Sequence, residues 1–362
     1  MNAGVNPDTA ATLTVRTGPQ YAGLLGIGGY RPVRSVDNEE ICTYIDSSDT
    51  WIRERTGIVT RGWAGPQETV VSMATAAGGK AIAAAGLQPE QIGFVLVATI
   101  THGYQTPSAA VEIAYELGAT GAAAVDLSAA CSGFCHGVAM ANDMVRGGSA
   151  EYVLVIGVEK LMDFVDRADR SVGCIFADGA GAAVVGPVDR PAIGPTVWGA
   201  DGSQLRAIAQ ASSWTDLRGP DLGGTDPRGA APREPALAAG GDGSYPFIGM
   251  QGQAVFRWAV TAIPKVAQAA MEAAGLSTAD LDVFVPHQAN LRIIDALVKK
   301  LALPEHVVVA RDIVDTGNTS AASVPLSLDR LIETGQVRSG QTALLVGFGA
   351  GLTYAAQVVV LP

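Results

Sequence analysis

The 362-residue sequence is poor in charged residues and in long apolar runs, and each shortage excludes a class of protein. Only 16% of the residues are charged, and the formal net charge is −11, which argues against nucleic acid as a general partner. No basic stripe with interleaved aromatic residues is present. No apolar run approaches the roughly 18 residues that a membrane-spanning helix requires. We therefore expect neither a nucleic-acid-binding protein nor a membrane protein.

Cysteine is also scarce, and its spacing offers no site for a structural metal. The four cysteines stand at positions 42, 131, 135 and 174, without C-x-x-C spacing, so we expect no zinc site and no disulfide framework. Residues 1–20 lack the apolar stretch of a secretory signal, and we expect them to form a flexible lead-in. These features predict a cytoplasmic protein.

Short apolar runs of strand length alternate with helical patterns along most of the chain. Runs such as Val153–Val158 and Ala343–Val346 are rich in β-branched residues, as is typical of strands buried on both faces. The helical patterns cover Thr69–Ala85, Ala109–Leu117, Ser132–Arg146, Gln253–Ala274, Leu291–Leu301 and Ser323–Thr334. The alternation predicts an α/β architecture. We divide it into two halves, residues 21–190 and 191–362, between which no sequence repeat is visible.

The segment 215–243 interrupts this alternation, with 11 glycines or prolines among its 29 residues. Such a composition predicts a mobile loop. Two interpretations stay open: a lid that shapes the mouth of a substrate tunnel, or a surface insertion without a role.

Residues 126–148 place Cys131 where the strand-like run Ala122–Leu127 gives way to a helical pattern. The unpaired N–H groups and the positive dipole end at a helix start favour a thiolate there. This position is suited to a nucleophile. The alternative is a buried structural cysteine, because free cysteine packs well as a small hydrophobic residue.

Two further polar residues, His287 and Asn318, each follow a short apolar run, as expected of side chains at strand ends. A cysteine, a histidine and an asparagine suit covalent acyl chemistry, in which a thiolate attacks a thioester and N–H groups stabilise the developing oxygen charge. Taken singly, His287 could satisfy a hydrogen bond in the core, and Asn318 could support a turn beside Gly317.

Several segments together resemble the signature segments of the β-ketoacyl-acyl-carrier-protein synthase III family. They are SAACSGF, VPHQANLRI, GNTSAASVP and GFGAGLTYAAQVV, with DTWIRERTGI and IFADGAGAAVV in addition. The resemblance runs from about Gly23 to the C-terminus. It implies a thiolase-like duplicated αβαβα five-layer fold, a homodimer and no cofactor. It also implies a decarboxylating Claisen condensation of a short acyl-CoA with malonyl-acyl-carrier protein, which initiates fatty acid or polyketide synthesis.

The resemblance also implies roles for single residues. Cys131 matches the acyl-accepting nucleophile, and His287 and Asn318 match the pair that supports decarboxylation. The oxyanion is expected to bind the N–H of Cys131 and one N–H of the turn Gly349, Ala350 and Gly351, in which Ala350 replaces a common glycine. Trp51, Arg55 and Arg170 match the coenzyme A site, and Gln288, Ala289, Asn290, Leu291 and Arg292 match the carrier-protein-binding segment. Thr106 is the candidate for the end of the acyl channel.

A basic helix face follows His287. On a helix, Arg292 and Lys299 are seven residues apart and share a face, with Lys300 adjacent. In an acidic protein such a face suits an acidic carrier protein, although most charge runs are simply solvated.

Two rival functions remain open at this point. A member of the same family could transfer the acyl group from Cys131 to a hydroxyl or amine of a specialised metabolite. A non-catalytic partner subunit of a condensing complex is disfavoured, because such a subunit need not keep the cysteine, the histidine and the asparagine together.

Overall fold

The computed structural model describes residues 13–14, 16–213 and 245–362. The predicted loop 215–243 and most of the predicted lead-in 1–20 lie outside the described residues. The described strands are β1 (Tyr21–Tyr30), β2 (Ser35–Asp37), β3 (Thr60–Gly62), β4 (Phe94–Ala98), β5 (Ala123–Leu127), β6 (Val153–Lys160), β7 (Asp178–Val188), β8 (Val197–Ala200), β9 (Ile208–Gln210), β10 (Ile248–Met250), β11 (Val283–Pro286), β12 (Val308–Val309), β13 (Thr342–Gly349) and β14 (Thr353–Val360). The described helices are α1 (Asn38–Ile41), α2 (Asp49–Thr56), α3 (Val70–Ala84), α4 (Ala109–Leu117), α5 (Gly133–Arg146), α6 (Gly252–Ala273), α7 (Leu291–Leu301), α8 (Ile313–Thr316) and α9 (Ser323–Glu333).

The six predicted helical patterns correspond to α3, α4, α5, α6, α7 and α9, with bounds that agree to within one residue. At two of the six starts, those of α3 and α7, a capping side chain fixes the boundary. The Thr69 hydroxyl accepts the N–H of Ser72 before α3, and the Asn290 side chain accepts the N–H of Arg292 before α7. Each bond satisfies a donor that the helix itself leaves free, so the helix begins at a defined residue.

The same strand order occurs in two five-stranded sheets of the described chain. The first sheet has the order β1-β7-β6-β4-β5, and the second has the order β8-β14-β13-β11-β12. In both, the first three strands pair antiparallel and the last three pair parallel. The first sheet belongs to the N-terminal half and the second to the C-terminal half, so the chain repeats one topology.

Five layers result from the packing of helices on these sheets. Helices α5 and α9 lie between the two sheets and share one apolar core with the inner face of each. Helices α3 and α4 cover the outer face of the first sheet, and α6 and α7 cover that of the second. This arrangement confirms the expected thiolase-like αβαβα fold. In the residues that the structure describes, no helix is long and apolar enough to span a membrane.

Each of the two central helices begins after a short 3₁₀ turn that presses against the other half. We call these the Cys131 turn (Ala130–Ser132) and the Ser320 turn (Ser320–Ala322). A side chain at Gly157 of β6 would overlap the backbone of Ala321, with its Cβ 2.6 Å from the carbonyl carbon. A Cβ at Gly347 of β13 would lie 2.9 Å from Cα of Ser132. Glycine in both strands therefore lets each turn reach backbone contact with the opposite sheet.

We expect Gly157→Ala to lower the free energy of unfolding by about 1–3 kcal/mol, because an added methyl group has no space between β6 and the Ser320 turn. Urea-induced unfolding measures the change. Gly121→Ala is the matched control, since an added Cβ there meets nothing within 4 Å. Equal stability of the two variants would contradict the claimed close contact.

Candidate active site

Cys131 lies in the Cys131 turn, buried at the start of α5 and in contact with the end of β13. A Cβ placed on Gly349 would be 2.6 Å from Cβ of Cys131 and 2.8 Å from its Sγ. Glycine at 349 therefore leaves the space that the sulfur occupies. The turn that follows β13 is thus built directly against the thiol.

Two backbone N–H groups, those of Cys131 and Ala350, interact with the sulfur and lower its pKa. They come from the two segments in which the sequence predicts oxyanion donors. Ala350 has no positive φ, so alanine fits a position where the family often has glycine, while Gly351 takes a φ of 129°. An oxygen that develops negative charge beside Sγ would find the same two donors.

The protonation state of Cys131 differs from the expectation. Its position before a helix predicts a thiolate, but burial raises the pKa of the Cys131 thiol to about 11. Desolvation outweighs the backbone N–H groups and the Ser320 hydroxyl, which act in the opposite direction. The free protein therefore holds a neutral thiol at pH 7, and attack on a carbonyl requires a route for its proton.

His287 follows β11 and is buried against Phe348, with 5.2 Å between the ring centroids. Burial lowers the pKa of the His287 imidazole to about 3, so the ring is neutral at physiological pH. Its Nδ1 lies 2.7 Å from Oγ of Ser323, which also accepts the N–H of Gln288 at 3.4 Å. We assign the Ser323 hydroxyl proton to Nδ1, which leaves Nε2–H as a donor.

Asn318 is buried after α8, and its side-chain amide is oriented by one hydrogen bond. Its Oδ1 accepts the N–H of Ser320 at 2.9 Å, which leaves the Nδ2 group to donate. The backbone N–H of Asn318 donates to the carbonyl of Ile175 at 2.9 Å, and this bond fixes the segment. The amide supports a turn and also presents a donor.

The three predicted residues converge on one place. His287 packs on Phe348, whose neighbour Gly349 touches Cys131. Asn318 binds Ser320, whose hydroxyl interacts with the Cys131 thiol. A neutral imidazole, a side-chain amide and a thiol are thus linked through shared neighbours between the two halves. This arrangement can form an acyl-enzyme and stabilise oxygen charge.

Comparisons with known proteins agree with this chemistry. Residues 125–202 match the family model described as 3-oxoacyl-[acyl-carrier-protein] synthase III, and residues 271–361 match the model of its C-terminal part. The β-ketoacyl-[acyl-carrier-protein] synthase III 1 of Streptomyces coelicolor is 57% identical, over 95% of this chain and 98% of that protein. The chain belongs to the β-ketoacyl-acyl-carrier-protein synthase III family.

Other members of the family extend the comparison. The mycobacterial β-ketoacyl-[acyl-carrier-protein] synthase III of Mycobacterium avium is 50% identical, over 97% of this chain and 98% of that protein. The solved structure of the priming β-ketosynthase from the R1128 polyketide biosynthetic pathway has a TM-score of 0.89 at 48% identity, covering 97% of this chain and 99% of its own. The chain is therefore a condensing enzyme with the thiolase-like fold.

The residues expected to hold coenzyme A lie together at the surface of this family member. The guanidinium of Arg170 lies 4.1 Å from the ring centroid of Trp51, and that of Arg55 lies 6.0 Å from it. Nδ2 of Asn290 donates to the carbonyl of Arg55 at 3.0 Å, which joins α2 to the start of α7. An aromatic face with two exposed cations suits a nucleotide that carries phosphates.

The expected carrier-protein-binding segment is only partly exposed, and the expectation for Gln288 is wrong. Gln288 is fully buried, its amide donates to the carbonyls of Pro286 and Ala310, and it accepts the N–H of Ile313. It therefore holds the segment in place from inside. Ala289 packs in the core of the C-terminal half, and Leu291 packs in a smaller cluster beside Ile294. Arg292, Lys299 and Lys300 are exposed, and Nζ of Lys300 donates to the carbonyl of Val260 at 2.6 Å.

Thr106 lies exposed in the loop after β4. A cavity of about 820 Å³ opens beside this loop, and Thr101, His102, Tyr104 and Lys160 are among its lining residues, whereas Thr106 is not. Within one described chain Thr106 therefore closes no channel. Its expected role needs the partner subunit and stays a prediction.

Sequence reasoning missed three residues of the site: Glu159 and Ser320 beside the thiol, and Ser323 beside His287. Ser320 and Ser323 stand inside the quoted motif GNTSAASVP, which could have identified them. Glu159 lies near the end of β6, directly after the apolar run Val153–Val158, and a carboxylate at the end of such a run was the available signal.

We expect His287 to remain neutral, with the proton on Nε2, from about pH 8 down to about pH 5, because burial keeps its pKa near 3. Long-range ¹H–¹⁵N correlation spectra of ¹⁵N-histidine-labelled protein report both the charge and the tautomer. The spectrum of His287→Ala assigns the signals. A His287 signal that becomes imidazolium above about pH 5 would contradict the assignment.

Proposed function

We propose that the protein initiates fatty acid or polyketide synthesis by condensing a short acyl-CoA with malonyl-acyl-carrier protein, as a cytoplasmic homodimer without a metal or cofactor. Membership of the family supports this function. The observation that carries it is the convergence of Cys131, His287 and Asn318, with two backbone N–H donors at the sulfur.

In the first half-reaction, Cys131 loses its proton and Sγ attacks the thioester carbonyl of the acyl-CoA. The negative charge on the carbonyl oxygen is stabilised by the N–H groups of Cys131 and Ala350. The tetrahedral intermediate then collapses, the carbon–sulfur bond to coenzyme A breaks, and CoA leaves as a thiol after taking up a proton. The acyl group remains on Cys131.

In the second half-reaction, malonyl-carrier protein loses CO₂, and the electron pair of the broken carbon–carbon bond forms an enolate. Its oxygen accepts hydrogen bonds from Nε2–H of His287 and Nδ2–H of Asn318. A neutral imidazole suits this task, because it donates without giving up its proton. The enolate carbon attacks the acyl carbonyl carbon, and the bond from that carbon to Sγ breaks. The Cys131 thiolate takes up a proton from solvent, and the 3-ketoacyl thioester leaves.

The substrate partners are assigned to two surfaces. Trp51, Arg55 and Arg170 would hold the nucleotide end of coenzyme A, where stacking and two cations are available. Arg292 and Lys299 would contact the acidic carrier protein from the exposed face of α7. The bond between Asn290 and Arg55, which joins α2 to the start of α7, supports neighbouring positions for the two surfaces.

The homodimer is supported by an uncovered sheet edge. Strand β5 is the edge of the first sheet, and Val125 at its centre is 41% exposed. Val111 and Tyr115 on the neighbouring α4 are 51% and 73% exposed. Uncovered edge strands and exposed apolar patches mark association surfaces. A second copy covering this edge would also bring its Thr106 loop close to the first.

Cys131→Ser should abolish covalent labelling by acyl-CoA while the fold is kept, since a hydroxyl is nearly isosteric with a thiol but far less acidic. Intact-mass spectrometry measures the labelling. Cys135→Ser is the matched control and should be labelled as the wild type is, because Cys135 points into the core. Labelling of Cys131→Ser at the wild-type rate would remove Cys131 from the mechanism.

The same assay separates the two remaining functions of the acyl-enzyme. Addition of malonyl-carrier protein should release CO₂ and yield a 3-ketoacyl product. His287→Ala and Asn318→Ala should retain acylation but lose roughly 10²–10³-fold in CO₂ release. An acyl-enzyme that survives malonyl-carrier protein and yields instead to an alcohol or amine would select the rival acyl transfer.

The double variant Arg292→Glu and Lys299→Glu should slow the reaction with malonyl-carrier protein by roughly 10-fold at low salt, and less at high salt, because exposed charges are screened. The reaction with malonyl-pantetheine, which lacks the acidic protein, should change less. The control is the double variant Arg190→Glu and Arg338→Glu, which has the same charge change. Arg190 follows β7 and Arg338 precedes β13, at the ends of the two sheets that lie away from the start of α7. Equal defects with both substrates would overturn the assignment of this docking surface.

A further inference from the structure

A buried carboxylate lies behind the thiol, and the mechanism above does not use it. Glu159 near the end of β6 is fully buried. Its Oε1 accepts the hydroxyl of Ser320 at 3.1 Å, and its Oε2 accepts the hydroxyl of Thr101 at 2.7 Å and the N–H of Ile100 at 3.1 Å. A longer bond of 3.3 Å comes from Thr99. A buried carboxylate with this many donors is held in one position.

Ser320 connects this carboxylate with the thiol. The Ser320 turn packs directly against the Cys131 turn. The hydroxyl of Ser320 donates to Glu159 and also interacts with the Cys131 thiol, so the three groups form a chain. The backbone of Ser320 has a φ of 49°, a left-handed conformation that glycine adopts more readily than serine.

We propose that Glu159, acting through Ser320, accepts the proton of the Cys131 thiol during attack on the acyl-CoA. The thiol proton moves to Oγ of Ser320 while the hydroxyl proton of Ser320 moves to Oε1 of Glu159. Sγ then forms its bond to the carbonyl carbon. When the bond to coenzyme A breaks, the proton returns along the same chain to the departing CoA sulfur. Glu159 is a carboxylate again at the end, and no other reactant is consumed.

Other groups near the thiol are less suited to this task. His287 is neutral with a pKa near 3 and is engaged at Nδ1 by Ser323, so it accepts a proton poorly. Burial raises the pKa of Glu159 to about 7, close to the pH at which a general base works best.

Cys131 is the titratable group that is linked to Glu159 through Ser320. The nearby cation is directed elsewhere. The adjacent Lys160 directs its Nζ to the carbonyl of Gly65 at 3.2 Å and to Asp163 at 3.6 Å. Thr99, Thr101 and Ser320 face the carboxylate with hydroxyls. The pH dependence of acylation should therefore report mainly on Glu159.

The test is single-turnover acylation by acetyl-CoA, followed by intact-mass spectrometry from about pH 5 to about pH 9. The wild-type rate should rise with pH through about 7, as Glu159 becomes a carboxylate. Glu159→Gln and Ser320→Gly should lower the rate by roughly 10²-fold or more at pH 8 and should lose this rise. Ser320→Gly keeps the fold testable, because glycine adopts a φ of 49° without strain.

Thr99→Val is the matched control, since it removes a donor to the same carboxylate but leaves the chain to Cys131 intact. It should keep the rise of the rate with pH. Wild-type rates in both Glu159→Gln and Ser320→Gly would overturn the proposal. So would slower rates that keep the wild-type pH profile, because they would show a structural role alone.

The inference rests on the proposed role of Cys131, and the same data distinguish the two failures. If the wild type takes no acetyl group on Cys131, the proposed function fails and the relay fails with it. If Cys131 is acetylated but the two variants behave as the wild type does, only the relay fails.

Discussion

The active site depends on the close contact between each half of the chain and the turn of the other half. Gly157 and Gly347 present bare backbone to the Ser320 turn and the Cys131 turn. Without side chains between them, the sheets and turns meet at backbone distance, and α5 and α9 start next to each other in the middle layer. The thiol, the amide of Asn318 and the hydroxyl of Ser320 come together because these two helix starts do.

Much of the fold was predictable from local patterns. Helices α3 and α7 begin where a capping side chain follows a loop, and their apolar residues recur with helical spacing, so both signals lie within a few residues. The duplication was not predictable in this way. The two halves share a strand order. The residues at the contact between the halves, however, are those that pack against the other half, so the shared order leaves no visible sequence repeat. Ala321 in the Ser320 turn corresponds in topology to Cys131, and nothing requires the two to be alike.

The features of the candidate site are likewise of two kinds: some follow from local sequence, and others depend on residues that are distant in sequence. Cys131, His287 and Asn318 stand in motifs that are recognisable in the sequence. The hydrogen-bond partners of the buried residues are distant in sequence: Gln288 accepts the N–H of Ile313, 25 residues away, and Glu159 accepts the hydroxyl of Ser320, 161 residues away. Desolvation is set by all the elements that cover a group, and for this reason the pKa of Cys131 was predicted in the wrong direction.

The exposed edge of the first sheet leads directly into the reactive segment. Strand β5 ends at Leu127, four residues before Cys131, and Asp126 near its end also binds the N–H groups of Ala109 and Ala110 at the start of α4. A copy of the chain seated on this edge would stiffen the segment that carries the nucleophile. Assembly and reactivity would then be mechanically linked, and the specific activity of a dilute preparation would fall below that of a concentrated one.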